Sequence, residues 1–453
     1  MTTHAPAPTR PPGPQLGPLE LARLLRRRRM TDLLERAARQ APEMAHFRLG
    51  FEHAYLVSTP ELVRELFGPL GRVTAKGRGL EQARLLLGDG LLTSEGDLHR
   101  RQRRLVQPAF HASRIAAYAE VMRVEAAALP ARAGWEDGAV RDIAADMADL
   151  TLRIVGRALF ATDLGADSPV VAGALAELLS RFQRVMLPGG PLLNRLPLPS
   201  TRKVEAAIAS LDGVVRRLMA EHQAAGRPDG LLAELLAARD EDGRPMPEDQ
   251  VRDEVLTLVL AGHETTANAL AWSWLMLDRH PLVAARLHEE LAAAPAVPEL
   301  ADLPWTRAVV AETMRLYPPA WVVGRRMLAE ARLGGWTLPA RSIVLASQWV
   351  THRDPRWWPD PLAYRPQRWI AVGAFDEAAP GQPRGAYFPF GMGRRVCIGE
   401  SFAWTEAVLV LAALAWDWAP ALVPGHRVDL LPAVTLRPRY GLRMTLHRRS
   451  AGQ

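Results

Sequence analysis

The sequence predicts a mainly α-helical protein with small β-sheets, an α+β fold in one domain with a long helix through its centre. Apolar residues recur at helical spacing from Thr59 to about Leu316. The segment between Pro247 and Pro281 has no internal proline and is apolar enough to be a buried helix. Short strands are predicted before this helical body and again after Pro318, so small sheets are expected to flank it.

The N-terminal part divides by composition. Residues 1–18 are rich in proline and lack an apolar run, which predicts a flexible leader, and residues 19–453 are expected to form the domain. Leu19–Arg39 has helical spacing, and Ala45–Val57 alternates apolar and polar residues as a hairpin does. No segment approaches the roughly 20 apolar residues of a transmembrane helix and no signal peptide is visible, so we expect a cytoplasmic protein without a transmembrane anchor.

Glycine and proline mark the predicted ends of the helices that follow. Breaks are expected at Gly88–Gly90, Leu187–Pro191, Leu196–Pro199 and Asp242–Pro245. The next segment, Pro247–His280, would form a helix roughly 50 Å long. Because it is apolar on nearly all sides from Val255 to Ala261, we expect it to cross the core.

The chain beyond Pro318 has a different texture. Short strands come first, and a long irregular stretch follows from Arg353 to Gly393. Near the C-terminus, Val434–Leu436 and Leu442–Leu446 have the alternation of strands and are expected to pair as a hairpin. The sequence therefore places its β-structure near its two ends.

The composition limits the classes of partner. The formal net charge is +7, and two of the 56 basic residues, Lys76 and Lys203, are lysine. This excess fits either a basic face for an acidic partner or the codon bias of an arginine-rich proteome. The arginines are spread along the chain, and no helix-turn-helix, zinc-finger or RNA-binding pattern is present, so nucleic acid is not an expected partner. The single cysteine, Cys397, excludes an internal disulfide.

That cysteine lies in the segment Phe390-x-x-Gly393-x-Arg395-x-Cys397-x-Gly399. An isolated cysteine is most often a buried structural residue. Here glycines flank the thiol, an arginine precedes it by two residues and an aromatic by seven, which suits a thiolate pressed against a flat, anionic cofactor. The segment therefore predicts the fifth, thiolate ligand of a haem iron. It resembles the haem-binding loop of the cytochrome P450 family.

The resemblance covers the chain from residue 19 onward and implies a single P450 catalytic domain whose long helix lies over haem b. It implies a monooxygenase that inserts one atom of O2 into a C–H bond and releases the other as water. A separate electron donor is expected, a ferredoxin or flavodoxin with its reductase, because the sequence has no Gly-x-Gly-x-x-Gly fingerprint and no iron–sulfur cysteine set. Two alternatives stay open: a peroxide-driven peroxygenase on the same fold and a non-catalytic haem sensor.

A second motif, Glu312-x-x-Arg315, places opposite charges on one helical face. Alone, it is typical of a surface ion pair. In the family that the sequence resembles, an arginine at the position of Arg368 joins this pair and fastens the cysteine loop. The residue before it, Gln367, replaces the glutamate usual in that family. The resemblance therefore predicts a structural triad of Glu312, Arg315 and Arg368 that supports folding and haem retention.

A basic helical face is the third motif. His99 and Arg103 lie four residues apart and share one side of a predicted helix. The resemblance places them against the haem propionates, together with Arg395 and with Arg326, for which the neighbouring Arg325 is the alternative. A solvated basic face is the competing interpretation. The remaining predicted cofactor-binding residues are Phe390, Gly399 and Ala261.

The central helix carries the run Ala261-Gly262-His263-Glu264-Thr265-Thr266. Unpaired polar groups are costly in an apolar helix, which favours a functional role over an odd polar patch. Thr265 is predicted to hold dioxygen and an ordered water while Glu264 relays protons, and Gly262 is expected to leave space above the iron. The pair His263-Glu264 does not continue as the zinc motif His-Glu-x-x-His, because position 267 is alanine.

The substrate pocket is predicted from apolar positions near these motifs, with ordinary core as the alternative for each. Its expected walls are Leu260, Trp321, Val322, Val323 and Thr435, and Phe182–Pro199 is expected to be a mobile lid. The lack of convergent charges favours a lipophilic substrate. The segments Arg315–Trp321 and Tyr387–Gly391 are similar to those of soluble bacterial carotenoid hydroxylases, with fatty-acid and terpenoid hydroxylases as alternatives.

Overall fold

A computed structural model gives the fold of residues 10–27, 29–185, 199–224, 230–239, 243–378 and 381–449. The α-helices of this part of the chain are α1 (Pro18–Arg27), α2 (Met30–Gln40), α3 (Pro60–Phe67), α4 (Arg78–Leu87), α5 (Gly96–Val106), α6 (Ala112–Ala133), α7 (Ile143–Phe160), α8 (Ser168–Val185), α9 (Pro199–Ala224), α10 (Leu231–Ala237), α11 (Glu248–Arg279), α12 (Pro281–Ala293), α13 (Pro304–Leu316), α14 (Gln348–Thr351) and α15 (Glu400–Asp417). The strands are β1 (Met44–Leu49), β2 (Glu52–Val57), β3 (Thr74–Lys76), β4 (Val140–Asp142), β5 (Val323–Met327), β6 (Ala331–Leu333), β7 (Trp336–Leu338), β8 (Ile343–Ala346), β9 (Ile370–Ala371), β10 (Ala374–Phe375), β11 (Ala421–Leu422), β12 (Leu430–Pro432), β13 (Leu436–Pro438) and β14 (Arg443–Thr445).

The long helix α11 organises the core. It begins directly after Pro247 and ends before Pro281, which opens α12 in its first turn, where a missing N–H costs nothing. Residues 254–260 and 266–277 are buried without interruption, and α7, α9, α13 and α15 pack around them. Since a helix buried on all sides must be apolar all round, the predicted central helix is confirmed.

The β-structure forms small sheets beside this helical body. The largest has five strands in the order β1-β2-β8-β5-β3, with β2 and β8 parallel and the other pairs antiparallel. The predicted hairpin over Ala45–Val57 is its β1–β2 edge. The fold class, mainly α with small sheets, is therefore confirmed. The β5–β8 part of this sheet carries Arg325 toward the site described below.

The predicted C-terminal hairpin is wrong in its pairing. Strand β13 pairs with β12 upstream, because a tight turn, in which the N–H of Ala433 donates to the carbonyl of Thr435 over 3.1 Å, returns the chain at once. Strand β14 pairs instead with β11 and β4. Three-residue strands carry too little pattern to select one partner over another.

Two further expectations concern chain segments outside this core. The described part of the predicted leader packs against β1, since Pro11 and Pro14 are buried and the N–H of His46 donates to the carbonyl of Pro12 over 2.9 Å. The boundary at residue 18 remains a prediction. Most of the expected lid, residues 186–198, lies outside the described residues. No helix in the described part of the chain is both long and apolar enough to cross a membrane.

Candidate active site

The cysteine loop is shaped by glycine and held close to α3. Gly393 has φ of +72°, and a Cβ there would lie 2.2 Å from the carbonyl oxygen of Phe67, so no side chain fits. The N–H of Cys397 donates to the carbonyl of Phe390 over 3.0 Å, and α15 begins three residues after the thiol. The ring of Phe390 packs against Trp404, with centroids 6.0 Å apart. These contacts therefore hold the loop, and with it the sulfur of Cys397, in a defined position.

The thiol of Cys397 keeps accessible surface although it lies deep among protein atoms. Burial raises its pKa to about 11, while the N–H of Gly399 and the charge of Arg103 favour the thiolate. A Cβ at Gly399 would approach the sulfur to 4.0 Å, so this glycine borders the sulfur closely. A thiolate is costly here by itself, and binding to a metal cation would compensate that cost.

The structure brings the expected triad together. The Nε and Nη2 atoms of Arg315 donate to both carboxylate oxygens of Glu312 over 2.8 Å, and Nε of Arg368 donates to the same carboxylate over 3.1 Å. Glu312 and Arg315 are fully buried. The indole of Trp369 and the N–H of Arg365 donate to Glu312 as well, over 3.0 and 2.8 Å. Buried charges are retained only when paired in this way.

A second brace, not anticipated from the sequence, links the triad to the cysteine loop. Nη1 of Arg315 donates to the carbonyl of His352 over 2.7 Å, and Nε2 of His352 accepts the N–H of Phe388 over 3.0 Å. Gln348 donates to the carbonyl of Phe388 over 3.3 Å. Burial lowers the pKa of His352 well below its usual range, which keeps the ring neutral and able to accept. The buried pair Arg315–His352 therefore fixes the start of the loop.

Positive charges converge beside the loop. Lys76 and Arg325 are each 6% exposed and His99 8%. Burial, with the charge of Arg395 next in effect, lowers the pKa of Lys76 to about 7 and that of Arg325 to about 10. Burial and the charges of Lys76 and Arg395 lower the pKa of His99 to about 3. Glu95 pairs with Arg395 and opposes these shifts at Lys76 and Arg325, but it does not offset burial and the charge of Arg395.

Arg103 joins α5 to the cysteine loop, since its Nη1 donates to the carbonyl of Val396 over 2.9 Å. Arg326 does not reach this cluster. Its guanidinium donates to Glu52 over 2.9 Å and to both oxygens of Glu81, and these partners raise its pKa. Successive side chains of a strand point to opposite faces, so on β5 the inward arginine is Arg325. The structure thus opposes Arg326 as a cofactor contact.

These residues fit a haem. Its two carboxylates are the kind of group that would reverse the pKa shifts of the cluster. Nη1 of Arg395 is buried and has no hydrogen-bond partner among the described residues, and Nζ of Lys76 uses two of its three protons, on the carbonyls of Leu91 and Ser94. A buried donor without a partner indicates a missing acceptor. Lys76 was missed from sequence, although its rarity in an arginine-rich chain was a signal.

An accessible patch interrupts the buried middle of α11. Between residues 254 and 277, only Ala261, Gly262 and Thr265 are partly exposed. Ala261 and Thr265 are four residues apart and share a face, and the hydroxyl of Thr265 donates to the carbonyl of Ala261 over 2.9 Å. Exposure in the middle of a buried helix marks the wall of an internal cavity.

Gly262 also lies close to the neighbouring helix α7. A Cβ at this position would lie 3.0 Å from Cγ2 of Val155 on α7. Gly262 therefore permits the close approach of α7, and it also keeps accessible surface together with Ala261 and Thr265. That it leaves space above the iron remains a prediction. His263 is buried, and its Nδ1 bonds the carbonyl of Val259 over 3.0 Å. No group of three or more potential metal ligands occurs in the described part of the chain.

Glu264 is buried and turned toward the C-terminal strands. The hydroxyl of Thr435 donates to its Oε1 over 2.7 Å, and Nη1 of Arg437 lies 4.0 Å from the same oxygen. Burial raises the pKa of Glu264, and Thr435 and Arg437 oppose this shift. The carboxyl is thus suited to carry a proton in the interior.

The predicted pocket walls separate into two groups. Val322 and Val323 are partly exposed and Leu260 is 9% exposed at the edge of the α11 patch. The indole of Trp321 donates to the carbonyl of Ala433 over 3.1 Å, and its ring lies in a core cluster against which Val322 also packs, so its place in a pocket wall remains a prediction. Thr435 is engaged with Glu264 rather than forming an apolar wall.

Comparison with known proteins agrees with this geometry. The family model of cytochrome P450 matches residues 8–417. Cyclooctatin synthase of Streptomyces melanosporofaciens is 39% identical over 87% of this chain and 86% of its own length. Cyclooctat-9-en-7-ol 5-monooxygenase of the same organism is 38% identical over 84% and 83%, and pentalenene oxygenase of Streptomyces avermitilis is 33% identical over 91% of both chains. The chain therefore belongs to the cytochrome P450 family and is a monooxygenase with a thiolate-ligated haem iron.

Proposed function

We propose that the protein hydroxylates a C–H bond of a terpenoid hydrocarbon or alcohol. The observation that carries this proposal is the chemistry in the names of its relatives, since pentalenene and cyclooctat-9-en-7-ol are terpenoids. The sequence favoured a carotenoid, which is a larger terpenoid, and the relatives favour the terpenoid class without favouring carotenoids. The lipophilic character expected from the sequence agrees with both.

The cofactor supplies the activation of dioxygen when it is bound. Cys397 would be its thiolate ligand, and the buried cations would hold its carboxylates. We assign that second role to His99, Arg103, Arg395, Arg325 and Lys76. Each is buried or half-buried beside the cysteine loop, and the cluster has a deficit of negative charge. Haem retention should therefore depend on the charges of these side chains as well as on the shape of the site.

Thr265 and Glu264 would handle protons on the opposite side. Thr265 lies in the accessible patch of α11, where its hydroxyl can exchange the carbonyl of Ala261 for a ligand in the cavity. Glu264 is the neighbouring carboxyl whose raised pKa lets it hold a proton away from water. The buried, apolar residues along α11 keep water away from the site, which limits competing reactions.

The electron donor would dock on the cysteine side of the molecule. Arg100 and Arg104 are exposed on α5, whose buried face carries His99, and Arg394 is exposed three residues before the thiol. We propose that these arginines receive an acidic ferredoxin or flavodoxin. Reversing the charge of Arg100 and Arg394 should slow electron transfer at low salt, and an unchanged rate would remove the docking proposal.

The substrate class is tested with the purified holoprotein, a reductase and a donor protein. Pentalenene, a carotenoid and a long-chain fatty acid are compared by the haem spin-state shift and by product analysis under heavy-isotope dioxygen. We expect the terpenoid hydrocarbon to shift the spectrum at the lowest concentration and its product to contain one labelled oxygen atom. Preferred binding of the fatty acid would refute the substrate class. Oxygen that comes from added peroxide at an equal rate would favour the peroxygenase alternative.

A further inference from the structure

Two carboxyl groups meet beside the cysteine loop. Glu400 opens α15, three residues after Cys397, and it is partly buried. Glu377 is exposed in the segment after β10, and its carboxyl group is in hydrogen-bond contact with that of Glu400. A carboxylate can only accept hydrogen bonds, so two carboxyl groups bond each other only when one of them is protonated. The contact therefore requires a proton that the pair shares.

The helix α15 holds Glu377 in place. Glu400 and Trp404 are four residues apart and share a face of this helix. The indole N–H of Trp404 donates to Oε1 of Glu377 over 3.2 Å, so Glu377 contacts both residues. The ring of Trp404 packs against Phe390, whose carbonyl accepts the N–H of Cys397 over 3.0 Å. These contacts connect the pair of carboxyl groups to the loop that carries the thiol.

Opposing effects act on the shared proton. Burial raises the pKa of Glu400 to about 7, and the charge and the hydrogen bond of Glu377 act in the same direction. The position of Glu400 in the first turn of α15 favours its carboxylate instead. The charged or titratable groups that face the pair are Arg307 of α13, Tyr387 and Cys397. Burial raises the pKa of Tyr387 well above its usual range and keeps that phenol neutral, so the charges of Arg307 and of the cysteine side remain.

The charge of Glu400 is coupled to the sulfur of Cys397. Burial and the N–H of Gly399 have the larger effects on the pKa of this thiol, and then Glu400 raises it while Arg103 lowers it. Energetic coupling between two groups is reciprocal, so negative charge added at the sulfur must favour protonation of Glu400 by the same free energy. Reduction of a thiolate-bound iron adds one negative charge there. A unit charge roughly 10 Å from a buried carboxyl changes its proton affinity by about tenfold.

We propose that Glu377 and Glu400 take up a proton when the haem iron is reduced, so that electron entry from the donor protein is coupled to protonation of this pair. The electron passes from the donor to the iron, and the proton passes from solvent water to the exposed side of the pair. The pair loses its single negative charge as the iron centre gains one. Both residues act through Cys397 and are positioning residues for electron transfer. The inference depends on the thiolate-ligated haem and is independent of the terpenoid substrate.

The test is a potentiometric titration of the substrate-free holoprotein at a series of pH values on both sides of neutrality. The midpoint potential of the wild type should fall as the pH rises above about 7. The total fall should be about 59 mV, which corresponds to a tenfold change in proton affinity for one electron. Glu400→Gln should abolish this fall, and Glu400→Asp, which restores a carboxyl group, should recover part of it.

Two further variants separate the pair from its surroundings. Glu377→Gln should move the fall to lower pH, because the charge of Glu377 adds to the raised pKa of Glu400. Asp376→Asn is the matched control: it removes a charge from the neighbouring position, where the carboxylate accepts the N–H of Ala378 over 2.9 Å, and it should keep the wild-type fall. The spectrum of the reduced, CO-bound protein verifies that each variant holds a thiolate-ligated haem.

A wild-type potential that does not change with pH, or a fall that persists in Glu400→Gln, overturns the inference. Infrared difference spectra of the wild type decide it without any variant. Reduction should produce the band of a protonated carboxyl group, which shifts in heavy water, and the absence of this band would also overturn the coupling. A protein that shows the band and the fall in potential but oxidises no terpenoid would refute the proposed substrate class and support this inference.

Discussion

Replacing Glu312 with glutamine removes the charge at the centre of the buried triad. Its two oxygens accept five hydrogen bonds, three of them from the guanidinium groups of Arg315 and Arg368. Glutamine keeps one acceptor oxygen and turns an NH2 group toward these cations. Arg315 is fully buried and the Arg368 side chain is 10% exposed, so water cannot replace the lost partner.

The loss should be large. Breaking a buried ion pair by removing one partner costs about 3–5 kcal/mol, which is roughly a fifth or more of the typical stability of a domain. Denaturant unfolding of the holoprotein, followed by tryptophan fluorescence, measures this loss. The rate of haem transfer to an acceptor protein measures the expected loosening of the cysteine loop, to which the triad connects through His352.

The matched control is Glu120→Gln. Glu120 and Arg123 have the same spacing of three residues, but they are 3.5 Å apart, and the Glu120 side chain is 69% exposed. An exposed pair is worth about 0.2–1 kcal/mol, so this variant should unfold nearly as the wild type does. A loss below about 1 kcal/mol for Glu312→Gln, with unchanged haem transfer, would refute the reasoning.

Two further predictions compare a variant with a matched control, and a third follows the stability of the protein against pH. Arg325→Gln should speed haem loss about tenfold, whereas Arg326→Gln should leave it nearly unchanged because that arginine binds Glu52 and Glu81; a haem-transfer assay compares them, and equal rates would contradict the assignment. Gly393→Ala should destabilise far more than Gly373→Ala, since both have positive φ but only the first Cβ meets backbone; unfolding curves check this, and equal losses would contradict it. Burial raises the pKa of Glu254 from 4.5 to about 7, so the folded state holds its proton more tightly and stability falls as pH rises through that window. Glu254→Gln should flatten that fall, and an unchanged pH profile of the unfolding free energy would contradict the shift.

The long helix and the triad could be predicted from the sequence because their signals are local. Proline at positions 247 and 281 fixes the ends of α11, and the spacing of Glu312 and Arg315 fixes their shared face. The resemblance then supplied Arg368, which lies more than 50 residues away and has no local link to the pair. Local pattern and family motif were both needed for this part of the site.

The sequence could not decide which face of an element meets the site. Arg325 and Arg326 are neighbours, and only the pairing of β5 with β3 and β8 makes Arg325 the inward one. Gly262 is a similar case, since its close approach to Val155 of α7 is a tertiary contact. Lys76 reaches the cluster from a three-residue strand whose pattern carries no such information. These residues depend on tertiary contacts, which a single sequence does not encode locally.

The central claim is that Cys397 is the thiolate ligand of a haem iron. Its most direct test is the absorption spectrum of the reduced, CO-bound protein, compared between the wild type and Cys397→His. Because Cys397 is the one cysteine in the chain, no other residue can supply a thiolate. The account predicts a main band shifted strongly to the red in the wild type and the loss of that shift in the variant. An unshifted band in the intact wild-type protein, or a shifted band that persists in Cys397→His, would contradict it.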